Sequence, residues 1–456
     1  MEGTNQTVST LGGFAPRVIP TQLRRGSNAL ENTATRAERV RRTSLIRGVL
    51  GVSFEYYDYV VFAAFAPYFA NQFFPQDNPI AAGLNTLLVF ALGFVMRPLG
   101  AMLAGRLADR FGRKPVMVAA LALAACGSLA IACAPTYHSI GIAAVFLLVA
   151  ARLAQGVAHG MESISAFVYT AEMASPKWRA LQSCAYPMGL NLGVMQGTLF
   201  GAVLTSVLSD ADMHQWGWRI PFIVGAMYGL FIVVLRRGME ESSAYEASKA
   251  KAKFEDQGYW RNVWKYRRIV LALLLIWPVT ATAAYTLSVS FSEYAITMIG
   301  ANPRDAYWAA LIAQTAFLFA LPCWAMMSDR FGRKFNYTIG FASVILLAYP
   351  LQLALGPSLL QIAIPMTIGL LFWAAVASTE IAFINELIPN RVRAQVMSIP
   401  SSMGAVLFGS TAPYLRSWST AYVSPLAFTA YFILLAVIGL IAVRQLPETR
   451  GRDLAD

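Results

Sequence analysis

Twelve apolar stretches follow one another along this chain, and each is long enough, at about 20 residues or more, to cross the hydrocarbon core of a bilayer as a helix. They run approximately over 46–70, 80–104, 115–134, 141–171, 181–208, 219–237, 269–297, 306–327, 336–354, 358–385, 395–415 and 426–445. A soluble domain carries roughly 25% charged residues, whereas this chain carries 13% and is 57% hydrophobic. It reads as an all-α membrane protein with twelve transmembrane helices.

Two short segments occur twice. Ala108–Lys114 (ADRFGRK) returns as Ser328–Lys334 (SDRFGRK), and Glu172–Ala180 (EMASPKWRA) returns in altered form as Glu386–Ala394 (ELIPNRVRA). The offsets are 220 and 214 positions, so the twelve spans divide into two homologous sets of six. Duplicated halves in an apolar chain are the usual construction of secondary transporters, with substrate held near the membrane midplane between them. The expected divisions are a flexible cytoplasmic tail over 1–44, a first half over 45–237, a linker over 238–268, a second half over 269–445 and a tail over 446–456.

Basic loops resist translocation, so the distribution of Lys and Arg sets orientation. All but Arg97, Arg152, Arg219, Arg304 and Arg416 of the 36 Lys and Arg residues fall on one side if the N-terminus is inside. Both termini are therefore expected in the cytoplasm of a cell bounded by this membrane. The net charge of +12 is a topology signal that also suits anionic lipid headgroups; no aromatic and basic motif for nucleic acid accompanies it. The first 44 residues lack the apolar core of a cleaved signal. Cys126, Cys133, Cys184 and Cys323 have no metal-ligand spacing and read as free thiols. The linker is too polar to span, and part of it is expected to lie on the membrane surface with Tyr259, Trp260 and Trp264 at headgroup level.

Gly105–Lys114 after the second span resembles the signature loop of the major facilitator superfamily, and Asp329–Lys334 sits at the equivalent place after span eight. More closely, the chain resembles the metabolite:proton symporters, which include permeases for dicarboxylates, citrate, shikimate and betaines. Glu55-Tyr-Tyr-Asp58, Arg97-Pro-Leu-Gly100, Arg152-Leu-Ala-Gln155-Gly156 and Leu446-Pro-Glu-Thr-Arg450-Gly451 carry that likeness, which extends from about Arg41 to Leu454. The resemblance implies a twelve-helix fold of two six-helix halves working by alternating access. Two departures stand out. Where relatives run on with glycines in span four, this chain has Gly160-Met161-Glu162-Ser163; and span five holds no Lys, Arg or His, which speaks against a dicarboxylate.

An ionisable side chain at membrane depth must face a cavity, pair, or change protonation. Arg152, Gln155, His159 and Glu162 form one polar stripe on span four, three or four residues apart. Arg152 would anchor a substrate carboxylate through its planar fork, or pair with a carboxylate on span one. Glu55 and Asp58 share a face of span one, and two carboxylates in low dielectric cannot both ionise cheaply. At least one is expected to carry the coupling proton, with Glu162 as rival; in the other reading both are neutralised by Arg97 and Arg152. His159 titrates near neutral pH or donates across a helix interface. Arg97 is expected to be structural or gating. Glu293 and Glu380 lie near span ends, where solvent reaches them, and are gate candidates.

The signature segments are expected to form charge clusters that close the cytoplasmic side in one state. Their gating residues are Asp109, Arg110, Arg113, Asp329, Arg330 and Arg333, together with Glu172 and Glu386. In span five Gly189, Gly193, Gly197 and Gly201 make a smooth strip for close helix packing, and the Gly-Pro pair of proton-driven exporters is missing. Aromatic side chains Tyr57, Trp277, Tyr285 and Trp373 join Arg152, Gln155 and His159 as candidate substrate contacts. The expected activity is proton-coupled import of a small organic acid, a monocarboxylate before a dicarboxylate, or of a zwitterion. A proton-driven exporter of amphipathic compounds and a transporter-like ligand sensor are the alternatives. No catalytic group, metal site or cofactor is expected; the proton is the coupling ion, and the chain is expected to act as a monomer.

Overall fold

A computed structural model of the chain describes residues 49–74, 79–111, 113–172, 176–237, 259–389 and 392–452. Among them every regular element is helical, because only a helix closes all backbone hydrogen bonds of an apolar span within itself. The first six long segments are α1 (Val49–Phe73), α2 (Pro79–Val95 and Arg97–Phe111), α3 (Arg113–Ala132), α4 (Ile142–Glu172), α5 (Ala185–Val207) and α6 (Arg219–Arg237). The second six are α7 (Arg267–Ala284, continued by Tyr285–Val289 and Phe291–Thr297), α8 (Pro303–Phe331), α9 (Arg333–Leu353), α10 (Leu359–Leu387), α11 (Arg393–Met403, Gly404–Gly409 and Ala412–Tyr422) and α12 (Pro425–Gln445).

Ten of these are long and apolar enough to cross a membrane, and α6 makes an eleventh with Asp210–Gly217, from which it bends by 43°. The remaining segment, α11, is more polar than its sequence span suggests. It extends to Tyr422 and widens into a π-helical turn at Gly404–Gly409. Its Arg416, Ser417 and Ser419 are buried in protein, which is where intramembrane polar groups are tolerated.

The internal repeat returns as packing. α3 lies against α4 and α6 as α9 lies against α10 and α12, and α2 runs along α4 as α8 runs along α10. Two apolar cores result, one containing Phe62, Phe90 and Trp218, the other Leu273, Phe341 and Phe383. Glycines let α2 and α4 touch backbone to backbone. A Cβ on Gly156 would stand 1.8 Å from the carbonyl oxygen of Gly93, and one on Gly100 would stand 2.1 Å from that of Val157.

The two sets of helices meet chiefly along α5 and α8. Gly189, Gly193 and Gly197 of α5 press on Val49, Ser53 and Val60 of α1, while Gly201 accepts the ring of Tyr307 from α8. That ring stacks on Phe65, and its hydroxyl donates to the carbonyl of Ala64. At the other end of α8 the signature segment is not a loop. Ser328–Phe331 is the last turn of α8 and Ala108–Phe111 the last turn of α2, because nothing interrupts the helix before the glycine. Gly332 alone separates α8 from α9, at φ +107°, a conformation glycine adopts without strain.

Gly156→Ala is expected to destabilise the protein by about 1–3 kcal/mol, the usual effect of forcing extra volume into a close-packed contact. Gly83→Ala, with open space around the position, is expected to leave stability unchanged or slightly higher. Thermal unfolding of the purified chain measures both.

Candidate functional site

A cavity of about 250 Å³ lies between the two sets of helices. Tyr56 from α1, Arg97 and Ala101 from α2, Gly160 from α4, and Tyr186 and Asn191 from α5 form one wall; Trp277, Thr280, Tyr285 and Ser288 from α7, Trp373 and Glu380 from α10, and Ser401 from α11 form the other. Arg97 forms an ion pair with Glu55 of α1. The arginine side chain is 17% exposed and the glutamate 2%, so the guanidinium faces the cavity and the carboxylate stands behind it. Arg97 also lies over the rings of Phe94 and Tyr59, at 5.4 and 5.6 Å from their centres. Contacts of this kind favour a cation out of water.

One helical turn along α1, Asp58 enters a different environment. It is held by Ser128 of α3 and by Gln155, His159 and Arg152 of α4, at 2.6, 2.8, 3.2 and 3.4 Å. Gln155 accepts a hydrogen bond from Arg152 at 2.8 Å and donates to Ser128 at 3.0 Å. The Arg152 guanidinium lies 4.2 Å from the centre of the Phe62 ring, and its Nε and Nη2 have no hydrogen-bond acceptor. All five polar residues are 1–2% exposed. Arg152, Gln155 and His159 of α4 thus turn into the first set of helices, not toward the cavity, because Asp58 and Ser128 offer partners there.

A third group of charges closes the end marked by the signature segments. Arg333 of α9 donates to Asp329 at 2.6 Å and to Glu386 of α10 at 2.9 and 3.0 Å. Arg179, which opens the short helix Arg179–Ser183 before α5, reaches across to Glu386 at 2.9 Å and to the carbonyl of Arg452 at 2.7 Å. Asp329 returns the link by accepting the backbone N–H groups of Ala180 and Leu181, at 3.1 and 2.9 Å. Beyond α12, Thr449 donates to Glu386, and Glu448 accepts the N–H groups of Arg333 and Lys334 at the start of α9. A carboxylate belongs there, since a helix N-terminus presents unpaired donors and positive potential.

A profile of the Major Facilitator Superfamily matches residues 48–413. The chain belongs to that superfamily. Among similar proteins, a citrate-proton symporter of Salmonella typhi is 29% identical over 377 residues, covering 82% of this chain and 86% of its own. A putative proline/betaine transporter of Staphylococcus haemolyticus is 28% identical over 409 residues, 89% of this chain and 87% of its own. The E. coli xylose transporter XylE, in a partially occluded inward-open structure, superposes with a TM-score of 0.72 at 17% identity, over 90% of this chain and 99% of that one. This last likeness concerns the fold alone. As a facilitator-superfamily member the chain is a multi-pass membrane transporter, not an enzyme.

Within this superfamily fold the expected site residues separate into groups. Trp277, Tyr285 and Trp373 stand together on the cavity wall. Tyr57 does not; its hydroxyl donates to the carbonyl of Pro221 in α6 at 2.7 Å, and Tyr56, about 100° around the helix, takes the wall position. Arg152, Gln155 and His159 lie in the Asp58 network, whereas Arg97, read as structural or gating, faces the cavity. Glu55 and Asp58 do not share one site, because each meets its own arginine. Asp329, Arg333 and Glu386 converge, but Arg330 is exposed and lies over Phe331 instead. Glu293 is 2% exposed, not solvated, with Arg416 packed nearby over Tyr294 at 3.7 Å. Glu380 stands on the cavity wall, well inside its helix. The side chains of Asp109, Arg110, Arg113, Glu162 and Glu172 lie outside the described residues. Arg179, Glu448 and Thr449 carried no expected role, although all three sit in segments whose repetition or family likeness singled them out.

Arg179→Ala removes a charged tie of roughly 1.5–3 kcal/mol from this seam. The reaction of Cys184, buried at the end of the same short helix, with a maleimide is expected to speed up about tenfold or more in a variant lacking the other cysteines. The second expectation concerns acid. Burial alone would raise Glu448, but the backbone N–H groups of Arg333, Lys334, Arg450 and Thr449 outweigh it and hold the carboxyl below its ordinary value. Stability from such a group is fully present above the ordinary carboxylate range and is lost as pH falls through the lowered folded value. Glu448→Gln should therefore flatten the acid side of the stability profile, as read by thermal unfolding from neutrality to about pH 3.

Proposed function

We propose that this transporter imports a small organic acid, bearing one carboxylate, together with protons, from a cell membrane in which both termini are cytoplasmic. The observation that carries the reading is Arg97, the cation among the residues lining the central cavity, backed by Glu55. A planar guanidinium binds a carboxylate through two parallel hydrogen bonds, and one such group suits one carboxylate. Among the described residues the lining offers no second Lys or Arg for a dicarboxylate. Proton-coupled relatives named for citrate, and relatives named for proline and betaine, are consistent with a small carboxylate substrate.

Coupling follows from the pair. While Glu55 is ionised it neutralises Arg97, and an incoming carboxylate competes with it. A proton on Glu55 discharges that competitor and leaves the arginine for the substrate, so proton and substrate enter together. Asp58 is the other carboxylate on α1, but its proton traffic requires the α1–α3–α4 packing to open, since its partners lie away from the cavity. The charge cluster around Glu386 supplies a gate whose breaking opens one side in alternating access. The exporter reading finds less support, because α5 runs unbroken from Ala185 to Val207 with its proline in the first turn.

Proteoliposomes under an inward proton gradient, offered mono-, di- and tricarboxylates, test the proposal. Uptake of a monocarboxylate, abolished by a protonophore, is the expected result. Arg97→Gln should weaken binding on the order of 100-fold, the loss of two charge-assisted hydrogen bonds. Glu55→Gln should retain substrate exchange but lose the pH dependence of binding and gradient-driven accumulation; if Asp58→Asn alone shows that behaviour, the coupling role passes to Asp58. Preference for a dicarboxylate, or accumulation indifferent to the protonophore, would refute the reading.

A further inference from the structure

Glu380 is the charged group on the second wall of the cavity, and neither the coupling pair nor the gate uses it. It projects from α10 on the face that also carries Trp373 and Ala377, at the spacing of one helical stripe. Across from α10, α7 presents Trp277 and Thr280 to the same space, with Thr280 beside the Glu380 carboxyl. Among the described residues Glu380 forms no ion pair, whereas Glu55, Asp58, Asp329 and Glu386 each have a basic partner. Water can solvate it while the cavity is open. Once the cavity closes around a substrate, an unbalanced carboxylate at membrane depth costs several kcal/mol, and it is balanced either by a positive group on the cargo or by a proton of its own.

We propose that Glu380 binds a positive group on the substrate, so that the ligand class is a compact zwitterion with a carboxylate at Arg97 and a substituted ammonium at Glu380. This rests on the reading of Arg97 as the carboxylate anchor. Charge balance separates the candidates. With a proton on Glu55, the closed cavity contains the Arg97 cation and the Glu380 anion; a zwitterion adds no net charge and the site is neutral. A simple monoanion leaves one negative charge uncompensated and needs a further proton on Glu380. The neighbouring side chains favour the same answer. Trp277 and Trp373 are lining residues of the same cavity, and aromatic side chains combined with a carboxylate are suited to a quaternary ammonium.

A matched pair of probes tests the assignment: trimethylglycine and 3,3-dimethylbutanoate, which share a carboxylate and a shape and differ by the exchange of a cationic nitrogen for carbon. Binding of each to the full-length protein in nanodiscs is measured by calorimetry. The wild type is expected to favour trimethylglycine by about tenfold or more, in line with a desolvated cation beside a carboxylate and aromatic side chains. Glu380→Gln should bring the two affinities within about twofold of each other by weakening trimethylglycine alone, and Glu380→Asp should keep the order of preference. Equal binding of the pair by the wild type, no binding of trimethylglycine, or an equal loss of both probes in Glu380→Gln would overturn the proposal. The anchor fails separately: Arg97→Gln that keeps both affinities removes Arg97 from the site, whatever the probes report about Glu380. The wild-type comparison stands even if a variant does not fold.

Discussion

Charge inside a hydrocarbon slab is tolerated only beside its opposite, facing a cavity, or neutralised by a proton, and that constraint organises this molecule more than any packing preference. An isolated ionised side chain at the bilayer centre costs several kcal/mol, while a well-packed apolar span costs nothing comparable. Most of the described intramembrane charges therefore sit at three kinds of place: a dry network around Asp58, a cavity wall at Arg97 and Glu380, and a clasp around Glu386 where the helices end, with Glu293 and Arg416 buried apart from all three. The first ties α1, α3 and α4 into one body. The second holds chemistry that cargo can reach, and the third joins the two bodies at one end.

The division between Asp58 and Glu55 shows how a single turn of helix separates a sealed charge pair from one whose arginine faces a cavity. Both carboxylates are 2% exposed, both have an arginine, and both lie on α1. What distinguishes them is the other end of the pair. Arg152 is sealed among Phe62, Phe90 and Tyr59, so its charge is spent within the protein. Arg97 has aromatic rings on one side and open cavity on the other. The proposed coupling draws on that difference, because only a cation facing the cavity can exchange one carboxylate for another.

Much of the fold was legible in the sequence because it follows from counting. Apolar length specifies helices, and two segments repeated at nearly the same offset specify two sets of six. The close α2–α4 approach falls at Arg97-Pro-Leu-Gly100 and Arg152-Leu-Ala-Gln155-Gly156, singled out in the sequence by family likeness alone, whose glycines meet the facing backbone. The site was less legible, for a geometric reason. A 100° step decides whether Tyr56 or Tyr57 faces the cavity, and α4's stripe has a well-defined face in sequence without revealing which neighbour that face meets. Arg152 heads the densest polar stripe, and the sequence leaves it open to two readings, substrate anchor or partner of a carboxylate on span one; Asp58, distant in sequence, takes it together with Gln155. Glu380 looked peripheral by its distance from a span boundary, but α10 continues beyond that boundary to Leu387, which draws the residue inward.

The two ends of the seam are built from different materials. At the signature end Arg179, Arg333, Asp329 and Glu386 bind through charge, while along α8 at the opposite end Tyr307 rests on Phe65 and Gly201 and offers a single hydroxyl to Ala64. The clasp's charged side chains are 0–2% exposed, so dissolved salt screens them little while they are paired; cooling weakens the apolar part of the second contact while the ionic clasp follows a different temperature law. The seam is thus held by unlike forces at its two ends, so a change of temperature loads them unequally even when no substrate is present.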